Sequence, residues 1–300
     1  RLMSLVATLA IEKRMPQRSI QRLLEGLYSV HISLGEITEI LHKVARFARG
    51  KVQRILRSIR GSPYVHGDET GWRENGINGY LWSLSTPQLR FFHFDRSRAG
   101  AVAEKLFGAC FSGVLLCDFY GGYNWYSGPI QRCWVHFLRD LKKLVDVHPD
   151  DDSVQVWVES IKEVYKIAKK IAGRGFVESL RVRFRQELEA RILSIAEPYL
   201  LDDTAPQHTL AKRIDKHLGE LFTFVQHVGC PSGNNAAERA IRPAVIARKI
   251  SGGTRSEKGS QTRTTLMSVF GTWQLQGKDV LKACTDMIVS SQSSVALSHV

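Results

Sequence analysis

The sequence predicts an α/β fold, and three observations lead there. Residues 61–118 break into short runs rich in β-branched and aromatic residues, separated by Gly, Asn and Pro, as strands joined by turns do. The flanking segments instead repeat apolar residues at helical spacing. Leu115, Leu116 and Cys117 are consecutive and apolar, the mark of a strand buried on both faces, as in a sheet covered by helices.

Residues 1–60 read as a helical N-terminal region. Ile37, Ile40, Leu41, Val44 and Phe47 recur at helical spacing, and Ser33 with Glu36 forms the S-x-x-E pattern that starts a helix. A shorter helix, "QRSIQRLLEGL", precedes it across the link "YSVHIS". Two helices around a short link fit a helix-turn-helix, and equally two packed helices without DNA contact, the commoner case. "YVHGD", "GYLWSLST" and "LRFFHF" read as strands, "AGAVAEKLFG" as a helix and "GVLLCDF" as a strand, giving the order β-β-β-α-β. Residues 119–230 are mostly helical by pattern. In them "VQVWVESIKEVYKIAKKIA" and "VESLRVRFRQELEARILSIA" are amphipathic, with the mixed charge of a solvated face. "CPSGNNAAERAIRP" reads as a loop and a helix start, with Asn234 or Asn235 as N-cap. A basic loop, "RKISGGTRSEKGSQTR", leads to a closing helical region in which Gly271 is a candidate break. The polar tail, 291–300, matches no pattern.

Lysine and arginine number 42 against 29 aspartates and glutamates, a formal net charge of +13. An excess of this size attracts polyanions, nucleic acid first among them. The five cysteines, Cys110, Cys117, Cys133, Cys230 and Cys284, are odd in number and show no C-x-x-C spacing, which argues against a disulfide scaffold and fits a reducing compartment. The most apolar stretch, 106–117, is about half the roughly 20 residues of a spanning helix, so no membrane association is expected. No signal peptide is visible, and the start at Arg1 suggests a piece of a longer protein. P-loop, HExxH and GxSxG signatures are absent.

Asp68 and Asp118 each end a strand candidate, where a charge is costly unless paired or bound to metal. Carboxylates gathered from neighbouring strands suit Mg²⁺, which keeps positions for water and phosphate. Glu238, at a helix start, is a third acid, although acids there also serve the helix dipole alone. Glu69, Glu74, Asp95 and Asp140 compete, so the residues by themselves leave the trio open. Around Glu238 stand Arg239, Arg242, Arg248, Lys249, Arg255, Lys258 and Arg263, opposed between 236 and 270 only by Glu238 and Glu257. Such a cluster fits phosphate contacts, and fits a solvated basic face as well. Cys133 and His136 form C-x-x-H, more often structural than zinc-binding without a second ligand pair. Trp72 and Tyr123 are core candidates with base stacking as the alternative.

At these residues the chain resembles a family. "VHGDETGW", "LLCDFYGGYN", "RCWVHFLRDLKKL" and "NNAAERAIRPAVIARK", in this order from His66 to Lys249, resemble bacterial insertion-sequence transposases of the sixty-six group. The lead-in "RMPQRSIQRLLEGLYSVHIS" is similar to the region before their core. The resemblance implies a ribonuclease-H-like mixed sheet flanked by helices: its first part in 61–148, a helical insertion in 149–230 and its second part in 231–290. It implies a DDE transposase whose acids Asp68, Asp118 and Glu238 bind two Mg²⁺ or Mn²⁺ ions. Cys133 and His136 match a C-x-x-H motif found after the second aspartate in several transposase families. On this reading Arg239, Arg242, Arg248, Lys249, Arg255 and Lys258 would contact DNA, and Cys133, His136, Trp72 and Tyr123 are auxiliary candidates. Partners would be transposon ends and target DNA, with a homo-oligomer assembled on them, in the bacterial cytoplasm at the nucleoid. Zinc-finger-like and coiled regions often found upstream in the family are not in these residues. A structure-selective nuclease on the same fold and an inactive DNA-binding remnant are the rival readings.

Overall fold

The computed structural model describes residues 1–297, the side chains of 292–297 excepted. In chain order the elements begin with α1 (Leu2–Ala7), which continues as a π-helical turn (Thr8–Glu12), then α2 (Gln17–Tyr28) and α3 (Leu34–Arg60). Three strands follow, β1 (Tyr64–Glu74), β2 (Ile77–Ser85) and β3 (Arg90–Asp95), then α4 (Gly100–Phe107), β4 (Val114–Cys117) and β5 (Ile130–Arg132). Helices α5 (Trp134–Val147), α6 (Asp152–Ala172), α7 (Glu178–Ala196), α8 (His208–Lys216), α9 (Leu218–Leu221) and α10 (Thr223–Gln226) come next. The chain closes with α11 (Asn235–Ser251), α12 (Glu257–Leu275) and α13 (Val280–Leu297). The sheet is mixed, in the order β3-β2-β1-β4-β5, with β1–β2 and β2–β3 antiparallel and β4–β5 parallel. The fold is thus α/β, and the expected β-β-β-α-β order is present.

By compactness the chain divides into two units, one made of Arg1–Phe111 together with the chain from Ala236 onward, the other of Ser112–Asn235. In the first unit, α3 begins as its sequence predicts. Ser33 Oγ accepts the Glu36 N–H at 3.1 Å, and the Glu36 carboxylate accepts the Ser33 N–H at 2.8 Å. β1 and β2 form a hairpin closed by Asn75 and Gly76, whose φ angles of +52° and +79° are those an Asn-Gly turn supplies. The edge of β3 is covered by α12. Ser268 Oγ accepts the Phe92 N–H at 2.8 Å, and Thr272 Oγ1 accepts the Arg90 N–H at 3.0 Å. Gly271, a candidate break by sequence, does not break α12. A Cβ there would lie 3.0 Å from Arg90 Cδ, so the glycine gives room for β3 while the helix runs on. The break falls at Gly277, whose φ of +67° ends the last turn.

In the second unit, short β4 and β5 are wrapped by helices. Trp134, Phe137, Trp157, Ile161 and Ile192 are buried on the facing sides of α5, α6 and α7. β5 was not anticipated: three residues after Pro129 are too few for a periodic signal. α8–α10, three short helices within 208–226, also lie below what periodicity resolves. Of the expected tail, residues up to Leu297 continue α13, and 298–300 lie outside the described residues.

Candidate active site

In the first unit, Asp68 lies in the middle of β1, opposite Ser83 of β2. The expectation that it ends its strand is corrected. The Asn75–Gly76 turn extends the hairpin pairing to Glu74, and Thr70 and Gly71 remain in register with β2. The Asp68 side chain is half-buried, and its Oδ1 accepts the Glu69 N–H at 2.9 Å. The neighbouring Glu69 is taken up elsewhere, since its Oε1 accepts from Arg98 Nε at 2.9 Å and Nη2 at 2.8 Å. Glu74 is likewise structural: it is buried and accepts from Arg96 at 2.6 Å and from Ser260 Oγ at 2.5 Å. Two of the competing acids thus have structural partners. Glu238 stands half-buried in the first turn of α11, where the positive end of the helix dipole favours a carboxylate.

In the second unit, Asp118 follows β4 directly, as the sequence predicts. Its Oδ1 accepts the Tyr120 N–H at 2.9 Å, a side-chain turn that holds the carboxylate at the start of the loop. The loop is fastened from below by Arg132, a residue that sequence reasoning missed. Arg132 is 0% exposed. Its guanidinium donates to the Asp118 carbonyl at 2.8 Å, to Asn124 Oδ1 at 2.6 Å and to Glu220 Oε2 at 2.5 Å. Burial pushes the Glu220 carboxyl up, but hydrogen bonds from His217 and Arg132 outweigh it and leave the carboxyl below its ordinary value. A buried arginine survives because every direction of its fork meets an acceptor.

The basic residues of α11 divide by face. Arg239, Arg242 and Lys249 are exposed and share one side at helical spacing. Arg248 points the other way and donates to the Gly71 carbonyl and, at 3.4 Å, to Thr70 Oγ1 of β1. It therefore has a structural task beside the contact expected of it. Arg255 and Lys258 are exposed, the latter 3.4 Å from Glu39. Cys133 is buried, and its Sγ accepts the Asn234 N–H at 3.0 Å, while His136 is half-buried in the first turn of α5. Trp72 is 2% exposed and Tyr123 0%, so both are core side chains. The stacking alternative for these two rings is corrected: a buried ring offers no face to a base.

Three carboxylates are oxygen donors of the kind that Mg²⁺ and Mn²⁺ take, so the donor chemistry fits such ions. Among the described residues, no group of three or more His, Cys, Asp or Glu side chains is arranged to hold a metal ion. The cysteines are free, and no helix among the described residues is long and apolar enough to cross a membrane.

A family model described as Transposase IS66 family matches residues 1–262, a span that contains Asp68, Asp118 and Glu238. Among curated proteins, the chain is similar to three proteins of Sinorhizobium fredii (strain NBRC 101917 / NGR234), each described as uncharacterized. To y4jO it is 30% identical over 195 residues, 61% of this chain and 57% of that protein. To y4qI it is 28% identical over 263 residues, 76% of this chain and 47% of that protein. To y4hP it is 21% identical over 253 residues, 72% of this chain and 45% of that protein. The chain thus spans about half the length of the curated relatives it matches.

Proposed function

The chain belongs to the IS66 transposase family, and from that premise we propose that it is a DDE transposase core that cleaves DNA and joins the freed end to a target. The observation that carries the proposal is the placement of two aspartates. Asp68 and Asp118, both within the matched residues, are half-buried carboxylates fixed by a backbone N–H on or directly after a sheet strand. The strand order, three antiparallel strands followed by a helix and parallel β4 and β5, supports a ribonuclease-H-like reading of the fold.

Asp68, Asp118 and Glu238 would together hold Mg²⁺ or Mn²⁺, two ions in the full complex. Bound there, the ions supply Lewis-acid stabilisation of the attacking and leaving oxygens. The protein's own share is positioning. Arg132 fixes the loop that begins at Asp118. Arg239, Arg242 and Lys249 on one face of α11, with Arg255 and Lys258 beyond it, hold DNA phosphates and set the register of the strand. Because two transposon ends must be paired, the working form would be a homo-oligomer on DNA, at the nucleoid.

The test is cleavage and joining of an oligonucleotide bearing the element end. Asp68→Ala, Asp118→Ala and Glu238→Ala should each reduce Mg²⁺-dependent cleavage to background while DNA affinity in EDTA stays within about threefold of wild type. An unimpaired Asp68→Ala enzyme would remove the DDE assignment. Supplying pre-cut 3′-OH ends separates transposition from hydrolysis, because a simple nuclease leaves them unjoined.

A further inference from the structure

A second site lies in the first unit, built around an arginine that has no anion. Arg263, on α12, has its guanidinium carbon 5.1 Å from the centroid of the buried Trp72 ring. The residue as a whole is half-buried, but its Nε is shut off from solvent and has no hydrogen-bond partner. Burial lowers the group to about 10, which leaves it charged at neutral pH. A shielded guanidinium with an unused donor is unfavourable unless something else repays it. The fully buried arginines among the described residues are satisfied. Arg132 meets a carboxylate, and Arg181 donates to the carbonyls of Phe176, Val225 and Arg174. Among the described residues Arg263 is the exception, and its side chain lines a cavity.

That cavity, of ≈ 510 Å³, lies between α2, α3 and the α11–α12 loop. Arg18, exposed on α2, and Arg255, exposed in the loop, line it with Arg263, and no aspartate or glutamate does. Its floor is the first turn of α12, a 19-residue helix whose N-cap Ser256 accepts the Gly259 N–H at 3.1 Å. The loop is held at a defined height. Thr254 N–H donates to the Arg73 carbonyl at 2.9 Å, Asn75 N–H to the Thr254 carbonyl at 2.8 Å, and Trp72 Nε1 to Thr254 Oγ1 at 3.1 Å. Gly253, with φ +126°, permits this approach, since a Cβ there would lie 2.1 Å from the Arg73 oxygen. A rigid, positively lined cavity at a helix N-terminus, with one guanidinium fork left open, has the chemistry of a phosphate site.

We propose that this cavity binds a backbone phosphate of a DNA strand, held by Arg263 with Arg18 and Arg255 at its rim, the attached sugar occupying the remaining volume. The site is separate from Asp68, Asp118 and Glu238. It rests on the transposase reading only for DNA as the source of the phosphate.

The experiment uses the full chain in EDTA, titrated with a labelled duplex oligonucleotide across a range of NaCl, for wild type, Arg263→Met and Arg18→Gln. A melting curve of each is taken with and without inorganic phosphate. Both variants should bind DNA at least tenfold more weakly, with the slope of log K on log [salt] shallower by about 0.9 for each lost contact. Arg263→Met should melt at or above the wild-type temperature and lose the upward shift that phosphate gives the wild type. A merely structural arginine behaves oppositely, and a lower melting temperature with wild-type DNA affinity and slope would overturn the proposal. Should Arg263→Met fail to fold, Arg18→Gln decides on its own, because wild-type affinity and slope in that exposed variant also overturn it. Protection of the wild type by inorganic phosphate, with DNA binding unchanged in both variants, would assign the cavity to free phosphate and defeat DNA as the source. Weakened binding by the variants, combined with a wild-type protein that cleaves no DNA in Mg²⁺, would defeat the DDE assignment and leave this site standing.

Discussion

Arg132 shows how one side chain can organise a loop that carries an acid. It joins Asp118, Asn124 and Glu220, the last 88 positions away in the chain. Replacing it with methionine leaves the Glu220 carboxylate with His217 alone and takes the Arg132 donor from two loop acceptors. Removing one member of a buried pair costs about 3–5 kcal/mol, and urea unfolding of Arg132→Met should show a loss of that order. Arg132→Lys should recover little, because an ammonium cannot serve three diverging acceptors as the planar fork does. The same cluster sets a pH dependence. The folded Glu220 carboxyl is held below its ordinary value by His217 and Arg132 against the opposing effect of burial. Its contribution is therefore complete above the unfolded value of about 4.3 and fades as pH falls through the lower folded value. The stability difference between wild type and Glu220→Gln should shrink between pH 6 and pH 3, and a constant difference over that range would show that the carboxylate contributes nothing by its charge. None of this was legible in the sequence, where Arg132 is one basic residue among 42. Asp118 was legible, because an acid directly after a consecutive apolar run is conspicuous whatever the partners turn out to be.

At the scale of elements, the contact of α12 with β3 does the work that a further strand would otherwise do. Ser268 and Thr272, four apart, present hydroxyls along one side of the helix to the N–H groups of Phe92 and Arg90, two apart on the strand. The match holds because four helical residues, rising about 1.5 Å each, span nearly the same length as two strand residues at about 3.3 Å each. Ser268→Ala should leave the buried Phe92 N–H unsatisfied and cost about 1–3 kcal/mol, measurable by thermal or urea unfolding. Ser268→Thr, which keeps the hydroxyl, should cost less. Element types were readable wherever a period had room to repeat. The α3 helix announced itself through its cap and its apolar stripe, as did α6 and α7. The failures have physical reasons. β1 was cut short at Asp68 because a charge and Gly71 resemble a strand end, whereas the Asn-Gly turn four residues further on is the true one. Gly271 resembled a helix break because its reason for being glycine, the side chain of Arg90, comes from a distant strand.

At the scale of the molecule, the excess of positive charge is spread over elements with different tasks. Some basic residues are structural, as with Arg132, Arg181 and Arg248, and others stand exposed on one face of α11. Net charge could announce a polyanionic partner but not sort these classes, because the sorting depends on which acceptors tertiary folding brings near. The family was legible from four ordered segments, and its match over 1–262 agrees with that reading. The Arg263 cavity was not, since it joins α2, α3 and the α11–α12 loop, segments that nothing in the linear sequence connects.

The first unit is also discontinuous, its early residues Arg1–Phe111 completed only by those from Ala236 onward. On a ribosome all of Ser112–Asn235 is made in between, and at ~5–20 residues per second that takes roughly 6 to 25 seconds. Throughout that interval the nascent β3 lacks the helix that will cover its open side, and by its end the second unit has its whole sequence in hand. Birth order and folding order therefore diverge: Ser112–Asn235 can finish before the residues made ahead of it, which must wait, exposed to chaperones or to another nascent copy, for those from Ala236 onward.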